Sequence, residues 1–321
     1  MPSRLLSILV GLLLAAGCGE ARDSGAAGAS TGERPCPGGG APAKGECPPS
    51  PGEGEGEGEG EGAEGEGEGE GEGEGEGEGE GEGEGAPPEE ARGEPACPDV
   101  AVRTPPDHLG LDPEYALYAD GGGIPIVARA GVDPEAFRVA YYVLAEMLAQ
   151  RPCVRAAMVR ARIRLGILGP DDVTTDMPEY SDFYEAFPGT DWDNRGRGFG
   201  ATRVRPLTTV GEENLLRQDH DGWLGESILV HEVAHSWFEF GVRDQRDGQV
   251  FQERLDALYD DAMAAGRWAD TYAATNDAEY WAEGTQGWFD ANLSADPANG
   301  IHNHVDTRKE LWKYDPALAK M

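Results

Sequence analysis

The sequence is poor in positive charge, in long apolar runs and in cysteine. Its 26 lysines and arginines stand against 61 aspartates and glutamates, so the net charge is −35. This balance argues against nucleic acid as a partner, because phosphates would be repelled. The apolar run from Leu5 to Ala16 is too short to span a bilayer. None of the five cysteines has the spacing of a zinc site, so a metal would need other ligands.

The first eighteen residues have the pattern of an export sequence. Arg4 precedes the apolar run, and Ala15-Ala16-Gly17-Cys18 follows it. This tetrapeptide resembles a bacterial lipobox, in which Cys18 becomes the lipidated first residue, and an ordinary secretory signal is the alternative. We therefore expect residues 1–18 to be a lipoprotein-type signal peptide. The protein would lie in the cell envelope, attached to a membrane through Cys18, or be secreted. Gly19 lacks the aspartate that suggests inner-membrane retention in some bacteria, so an outer membrane is expected.

The next segment, residues 19–96, is dominated by a Gly-Glu repeat. The repeat fills residues 52–85 with Ala63 as its one interruption, and residues 1–96 hold 23 acidic residues against 5 basic ones. Glycine offers nothing to a core and the glutamates repel one another, so the sequence predicts a disordered tether. Binding of calcium or other cations by the glutamates is the alternative.

Residues 97–321 form the predicted folded domain. An exported chain with four cysteines besides Cys18 suggests disulfides. Proximity along the chain favours Cys36–Cys47 and Cys97–Cys153, although four cysteines allow three pairings.

The pattern of the domain indicates helices and strands together, hence an α+β fold. Asp133-Pro134-Glu135 is typical of a helix start, with an N-cap, a proline and an acidic first turn. The other predicted elements are a helix continuing to about Arg151, a helix at Val154 to Arg160, a strand at Arg162 to Leu168, a loop from Met177 to Arg197 and an edge strand at Gly198 to Val204.

The most informative motif is His231-Glu232-Val233-Ala234-His235, an HExxH sequence inside an apolar run. The pattern predicts a buried helix from about Gly225 to Phe240, ended by Gly241 as a C-cap. Residues four apart lie on one face of a helix, so His231 and His235 can bind one metal ion with Glu232 beside it. This arrangement indicates a zinc hydrolase.

Zinc needs a third protein ligand, and Glu279 is the best candidate. Asn276 is a predicted N-cap for a helix to about Asn292, which places Glu279 and Glu283 on one face. We expect Glu279 to bind zinc and Glu283 to accept a hydrogen bond from a ligand histidine. A capping box would explain Glu279 but not Glu283. Two further histidines, His302 and His304, are alternative donors, with surface loops as their default location, and Gly241 stands where metzincins have a third histidine.

These motifs resemble the gluzincin metallopeptidases. Glu279-Tyr280-Trp281-Ala282-Glu283, which begins 44 residues after His235, is similar to the corresponding segment of the anthrax lethal factor catalytic domain and of the Pro-Pro endopeptidases. The resemblance implies a zincin-like fold with a second, glutamate-bearing helix. It also implies that Tyr272, seven residues before the glutamate ligand, donates to the tetrahedral intermediate, a role for which His302 and His304 compete. Substrate specificity does not carry over.

The parts together predict a zinc endopeptidase acting on peptides or proteins. Zn²⁺ bound by His231, His235 and Glu279 would activate a water, and Glu232 would act as general base. Two alternatives stay open: a zinc amidase acting on cell-wall peptides, and a non-catalytic metal-binding protein of the envelope or surface.

Overall fold

The computed structural model describes residues 100–321. The predicted signal peptide with Cys18, the tether over residues 19–96 and the cysteines up to Cys97 lie outside the described residues. Cys153 is disulfide-bonded. The pairing with Cys97 stays a prediction. None of the helices between residues 100 and 321 has the length and apolar character needed to cross a membrane.

A four-stranded mixed sheet lies beside the helices. Its strands are β1 (Leu117–Asp120), β2 (Pro125–Ala128), β3 (Arg164–Leu168) and β4 (Leu207–Gly211), in the order β1-β2-β3-β4. The first two strands pair antiparallel, and the pairs β2–β3 and β3–β4 are parallel. Because a parallel pair needs a crossover, the helices after β2 pack on the sheet.

Most of the remaining domain is helical, so the predicted α+β architecture is confirmed. The α-helices are α1 (Pro134–Leu148), α2 (Pro152–Arg160), α3 (Phe183–Ala186), α4 (Trp192–Arg195), α5 (Glu212–Leu215), α6 (Ile228–Ser236), α7 (Gly248–Ala264), α8 (Asp277–Trp288), α9 (Arg308–Tyr314) and α10 (Pro316–Ala319). A π-helix spans Trp237–Val242, and 3₁₀ turns lie at Asp107–Leu109, Thr174–Asp176, Pro178–Tyr180 and Tyr272–Ala274.

The predicted start of α1 is confirmed: Asp133 caps the helix by accepting a hydrogen bond of 2.9 Å from the Glu135 backbone N–H. The helix over residues 154–160 is also present, begun two residues earlier at Pro152. The predicted strand at 162–168 forms from Arg164, because Arg162 has a left-handed backbone conformation with φ of 58°. The region 177–197 is loop-like but contains the short helices α3 and α4.

Alternation along the strands builds two cores, one on each face of the sheet. Ile126 of β2 faces the larger core, which α1, α2, α6 and α8 share, whereas Val127 faces the smaller one. The smaller core is aromatic and includes Tyr180, Phe183 and Trp192. Helices α6 and α8 therefore pack in the larger core.

The predicted edge strand at 198–204 is wrong. Only Phe199 forms an isolated bridge, with Thr209, and the chain then turns tightly through paired hydrogen bonds between Thr202 and Arg205. The strand forms instead at Leu207–Gly211, after Pro206, because these residues fill the space beside β3 and are buried throughout.

The α-helix that carries His231 and His235 is shorter than predicted, and its C-terminal end differs from the predicted one. Helix α6 covers Ile228–Ser236 and continues as the π-helix, so Gly241 is not a C-cap. The need for glycine is steric: a β-carbon at Gly241 would collide with the side chain of Val154 on α2. Helix α8 likewise ends at Trp288 rather than near Asn292.

Candidate metal centre

Helix α6 presents the two histidines one turn apart. Its first turn is fixed by Ser227, whose hydroxyl accepts from the Val230 backbone N–H at 3.4 Å. The apolar side chains of the helix are buried, and the imidazoles point to one place: the Nε2 atoms of His231 and His235 are 3.1 Å apart. The four-residue spacing in the sequence is therefore enough to bring the Nε2 atoms of His231 and His235 together.

Helix α8 brings the third donor. Asn276 caps it, as predicted, by accepting 2.9 Å from the backbone N–H of Glu279. Oε2 of Glu279 lies 3.0 Å from Nε2 of His231 and 3.2 Å from Nε2 of His235. In residues 100–321 these three form the only group of three or more His, Cys, Asp or Glu side chains that could hold a metal ion, and their donor atoms all lie within 4.8 Å of one another.

Direct contacts between the two helices fix this convergence. The indole Nε1–H of Trp281 on α8 donates 3.0 Å to the backbone carbonyl of Ala234 on α6. The Trp281 ring also packs against Trp237, with centroids 5.3 Å apart. The backbone turn that carries His235 is thus bound to the helix that carries Glu279.

The donor set fits a metal cation. Burial lowers the pKa of His231, but the hydrogen bond and negative charge of Glu279 outweigh it and raise that pKa to about 10. Burial raises the pKa of Glu279, but the two imidazoles outweigh it, so the net shift is well below its usual range. The group therefore attracts a shared positive charge. Two imidazole nitrogens and one carboxylate oxygen could hold a metal ion, and their chemistry suits zinc among others.

Glu232 lies beside the donors under a close backbone segment. A β-carbon at Gly198 would lie 2.9 Å from Oε1 of Glu232, and one at Gly200 would lie 2.8 Å from Cβ of His235. Both glycines are therefore required for the segment to pass so near. Burial raises the pKa of Glu232, and the charges of the two histidines partly offset that rise. A carboxyl with a raised pKa suits proton transfer.

Tyr272 lies at the centre as well. Its hydroxyl donates 3.3 Å to Oε1 of Glu279, and its ring centroid is 6.1 Å from that of His231. Burial raises its pKa, and the charge of Glu279 raises it further, so the phenol keeps its proton. The turn is anchored by the Tyr272 backbone N–H, which donates 2.8 Å to the carbonyl of Ile301.

Gln286, which the sequence did not predict, is the nearest hydrogen-bond partner of His231 on the side of the ring that faces away from the other donors. Nδ1 of His231 lies 2.8 Å from Oε1 of Gln286, whereas Oε1 of the predicted partner Glu283 is 3.5 Å away. The Gln286 amide donates to the carboxylate of Glu226 at 3.0 Å and to the Ser227 carbonyl at 3.2 Å. Both are acceptors, so Oε1 must face His231 and accept its Nδ1 proton. In the neutral imidazole, which is the form that binds a metal, Nε2 is then left with its lone pair towards the site.

Gln286 had a sequence signature that could have found it. It lies seven residues after Glu279 and three after Glu283, so all three share one face of α8. Glu283 lies deeper: it accepts 2.9 Å from Asn292, and burial raises its pKa.

His302 and His304 do not join the donor group. The surface-loop expectation is wrong for His302, which is 4 % exposed and places Nε2 3.3 Å from Oε1 of Glu226. Hydrophobic packing of the C-terminal region buries its loop, which the local polar sequence does not reveal. His304 is exposed and packs edge-on against Tyr314, with centroids 5.2 Å apart. The glutamate is thus the third donor among the described residues.

Comparison with protein families, with curated proteins and with solved structures finds no match to this chain. Its function must therefore be argued from the site itself.

Proposed function

We propose that this chain is a zinc-dependent peptidase of gluzincin type with a zincin-like domain. The single observation that supports it most is the convergence of His231, His235 and Glu279 from two helices, with Glu232 beside them. A purely structural role for these three polar side chains would not require Glu232, a further acidic group, beside them.

The three donors would hold the metal. A zinc ion there would supply Lewis-acid polarisation and lower the pKa of a water to about 7. Glu232 would accept a proton from the attacking water and return it to the leaving amine. The Tyr272 hydroxyl would donate to the oxyanion that develops on the scissile carbonyl. Gln286 would keep the proton of His231 on Nδ1.

The extended segment above Glu232 supports a peptide substrate. Phe199 exchanges backbone hydrogen bonds with Thr209 of β4. The flanking Gly198 and Gly200 make no backbone hydrogen bond to any residue in the described part of the chain. We propose that their amides and carbonyls pair with an extended peptide.

The experiment is incubation of the purified full chain, loaded with zinc, with a diverse peptide library and product analysis by mass spectrometry. The Glu232→Gln variant is the matched control. We expect cuts by the wild type and a loss of about 10²–10⁴-fold in the variant, with zinc content unchanged. Retained turnover or lost zinc in Glu232→Gln would contradict the role of this residue. Cleavage of cell-wall peptides alone would favour an amidase, and no cleavage by folded, zinc-loaded protein a non-catalytic role.

We also propose that the chain is an exported lipoprotein attached at Cys18, on the basis of Ala15-Ala16-Gly17-Cys18. Expression in a bacterial host with a labelled fatty acid tests this. The wild type should take up label and sediment with membranes, and Cys18→Ala should do neither. An unlabelled, soluble wild type would overturn the anchor.

A further inference from the structure

Arg195, at the end of α4, is an arginine without a polar partner. Its guanidinium makes neither an ion pair nor a hydrogen bond to any residue in the described range 100–321. The next three arginines in the sequence are paired with carboxylates: Arg197 with Glu213, Arg203 with Glu239 and Asp244, and Arg205 with Asp182. Arg195 differs from these three neighbours because aromatic rings, but no carboxylate of the described residues, lie against its guanidinium.

The acidic residues nearest in sequence are already engaged. Asp191 accepts from Asn194 at 2.8 Å and from the hydroxyl of Tyr184 at 3.1 Å. Asp193 accepts from the backbone N–H and the hydroxyl of Thr175 at 3.0 and 2.8 Å. Local structure thus draws both carboxylates away from Arg195.

Aromatic rings hold the guanidinium in place. Its Cζ lies 5.6 Å from the ring centroid of Trp192 and 5.7 Å from that of Phe199. These rings are 1 % and 7 % exposed and belong to the aromatic core. Stacking on rings orients the planar group but leaves its N–H donors unused. The rings thus orient the Arg195 side chain, while its N–H donors remain without a hydrogen-bond acceptor in the described range.

The same rings tie Arg195 to the reaction centre. Phe199 lies between Gly198 and Gly200, the two residues in close contact with Glu232 and His235. Arg195 therefore lies beside the segment that passes over Glu232.

We propose that Arg195 binds a carboxylate of the substrate, so that the substrate class is a peptide with a negative charge near the scissile bond. This inference rests on the proposed peptidase function. A guanidinium forms two parallel N–H···O bonds with a carboxylate, the geometry that a ring-stacked, unpaired arginine offers. The carboxylate can belong to an aspartate or glutamate side chain or to the peptide C-terminus.

Binding is measured on the zinc-loaded full chain carrying Glu232→Gln, so that no turnover interferes. The probes are short synthetic peptides in two sets of matched pairs. In one set a single glutamate is moved along the peptide and compared with glutamine at the same place. In the other a free C-terminus is compared with its amide. Titration calorimetry gives both affinities, and each set identifies one source of the carboxylate.

Arg195→Met is the test variant and Arg205→Met its matched control. Arg205 also lies over two rings, Phe183 and Phe187, at 5.2 and 5.3 Å, but it is paired with Asp182. We expect the acidic member of at least one pair to bind about 10–100-fold more tightly than its neutral partner. Arg195→Met should remove that preference, Arg195→Lys should retain part of it, and Arg205→Met should leave it unchanged.

Equal affinity within every pair would overturn the proposal. Equal losses for neutral and acidic peptides in Arg195→Met would also overturn it, and would indicate a contact with the peptide backbone instead. The peptidase proposal is read separately, from cleavage by the chain with Glu232 intact. Binding that depends on Arg195 but is not accompanied by cleavage would support the carboxylate site and contradict the peptidase proposal. Cleavage without a preference for acidic peptides would support the peptidase proposal and contradict the carboxylate site.

Discussion

His231 has a different partner on each side of its ring. Nε2 faces Glu279 and His235, while Nδ1 is bound by Gln286 at 2.8 Å. The first contact brings the donors together, and the second fixes which nitrogen carries the proton. A ligand histidine held in one tautomer does not need to reorganise when a cation binds.

Gln286→Ala should weaken zinc binding by about 10–100-fold, because His231 would lose the acceptor that orients it. Competition with a zinc chelator measures the affinity. Glu283→Gln should have a smaller effect, since its carboxylate is 3.5 Å from Nδ1. Gln249→Ala is the control, since this exposed glutamine bonds only Glu253. A larger loss in Glu283→Gln than in Gln286→Ala would reverse the assignment of the two partners.

At the scale of the elements, the C-terminal end of α6 and the π-helix that follows it are fixed by contacts with neighbouring elements. Ser236 at its C-terminal end accepts 3.0 Å from the Ala201 backbone N–H and lies 2.6 Å from the hydroxyl of Thr208. The helix is thereby connected to β4 and to the segment over Glu232. The π-helix that follows packs directly on α2, where Gly241 meets Val154.

Gly241→Ala should destabilise the domain by about 1–3 kcal/mol, because its methyl group would collide with Val154 and lie 2.8 Å from Cδ1 of Trp237. Urea unfolding measures the change in the free energy of unfolding. Gly222→Ala is the matched control, since a β-carbon there meets nothing within 4 Å. Equal stability of the two variants would show that α2 and the π-helix separate at little cost.

At the scale of the whole molecule, the candidate metal centre lies between α6 and α8 but is not the hydrophobic core. The large apolar core includes both helices and also α1, α2 and the sheet. In addition, the donors already contact one another, and Trp281 links the helices without a metal. The fold should therefore persist when zinc is removed.

Zinc should raise the thermal stability of the chain without being required for folding. Binding to the folded state alone adds about 2.7 kcal/mol when free zinc exceeds the dissociation constant a hundredfold. Calorimetric melting of the chelated and reloaded protein measures this, and His235→Ala should show no zinc-dependent shift. Unfolding upon chelation would instead make the metal a structural part of the core.

Local interactions within the sequence determined the two functional helices and the groups that they carry. The HExxH spacing follows from the period of an α-helix, and Asn276 satisfies a backbone donor within the first turn of its own helix. Such interactions act over a few residues, so they can be read without the fold. Glu279 was also found in advance, because its motif places two glutamates on one helix face.

Tertiary packing decided which side chains meet across long stretches of chain. Gln286 lies 55 residues from His231, and the loop of His302 is buried only by its surroundings. The strand at Leu207–Gly211 was missed because its neighbour β3, rather than its own pattern, makes it a strand. Arg195 looks like any arginine in the sequence, and only the structure shows that its carboxylate neighbours bond elsewhere. The sequence determined the helices and their donors by short-range geometry, whereas competition between long-range contacts determined the partners.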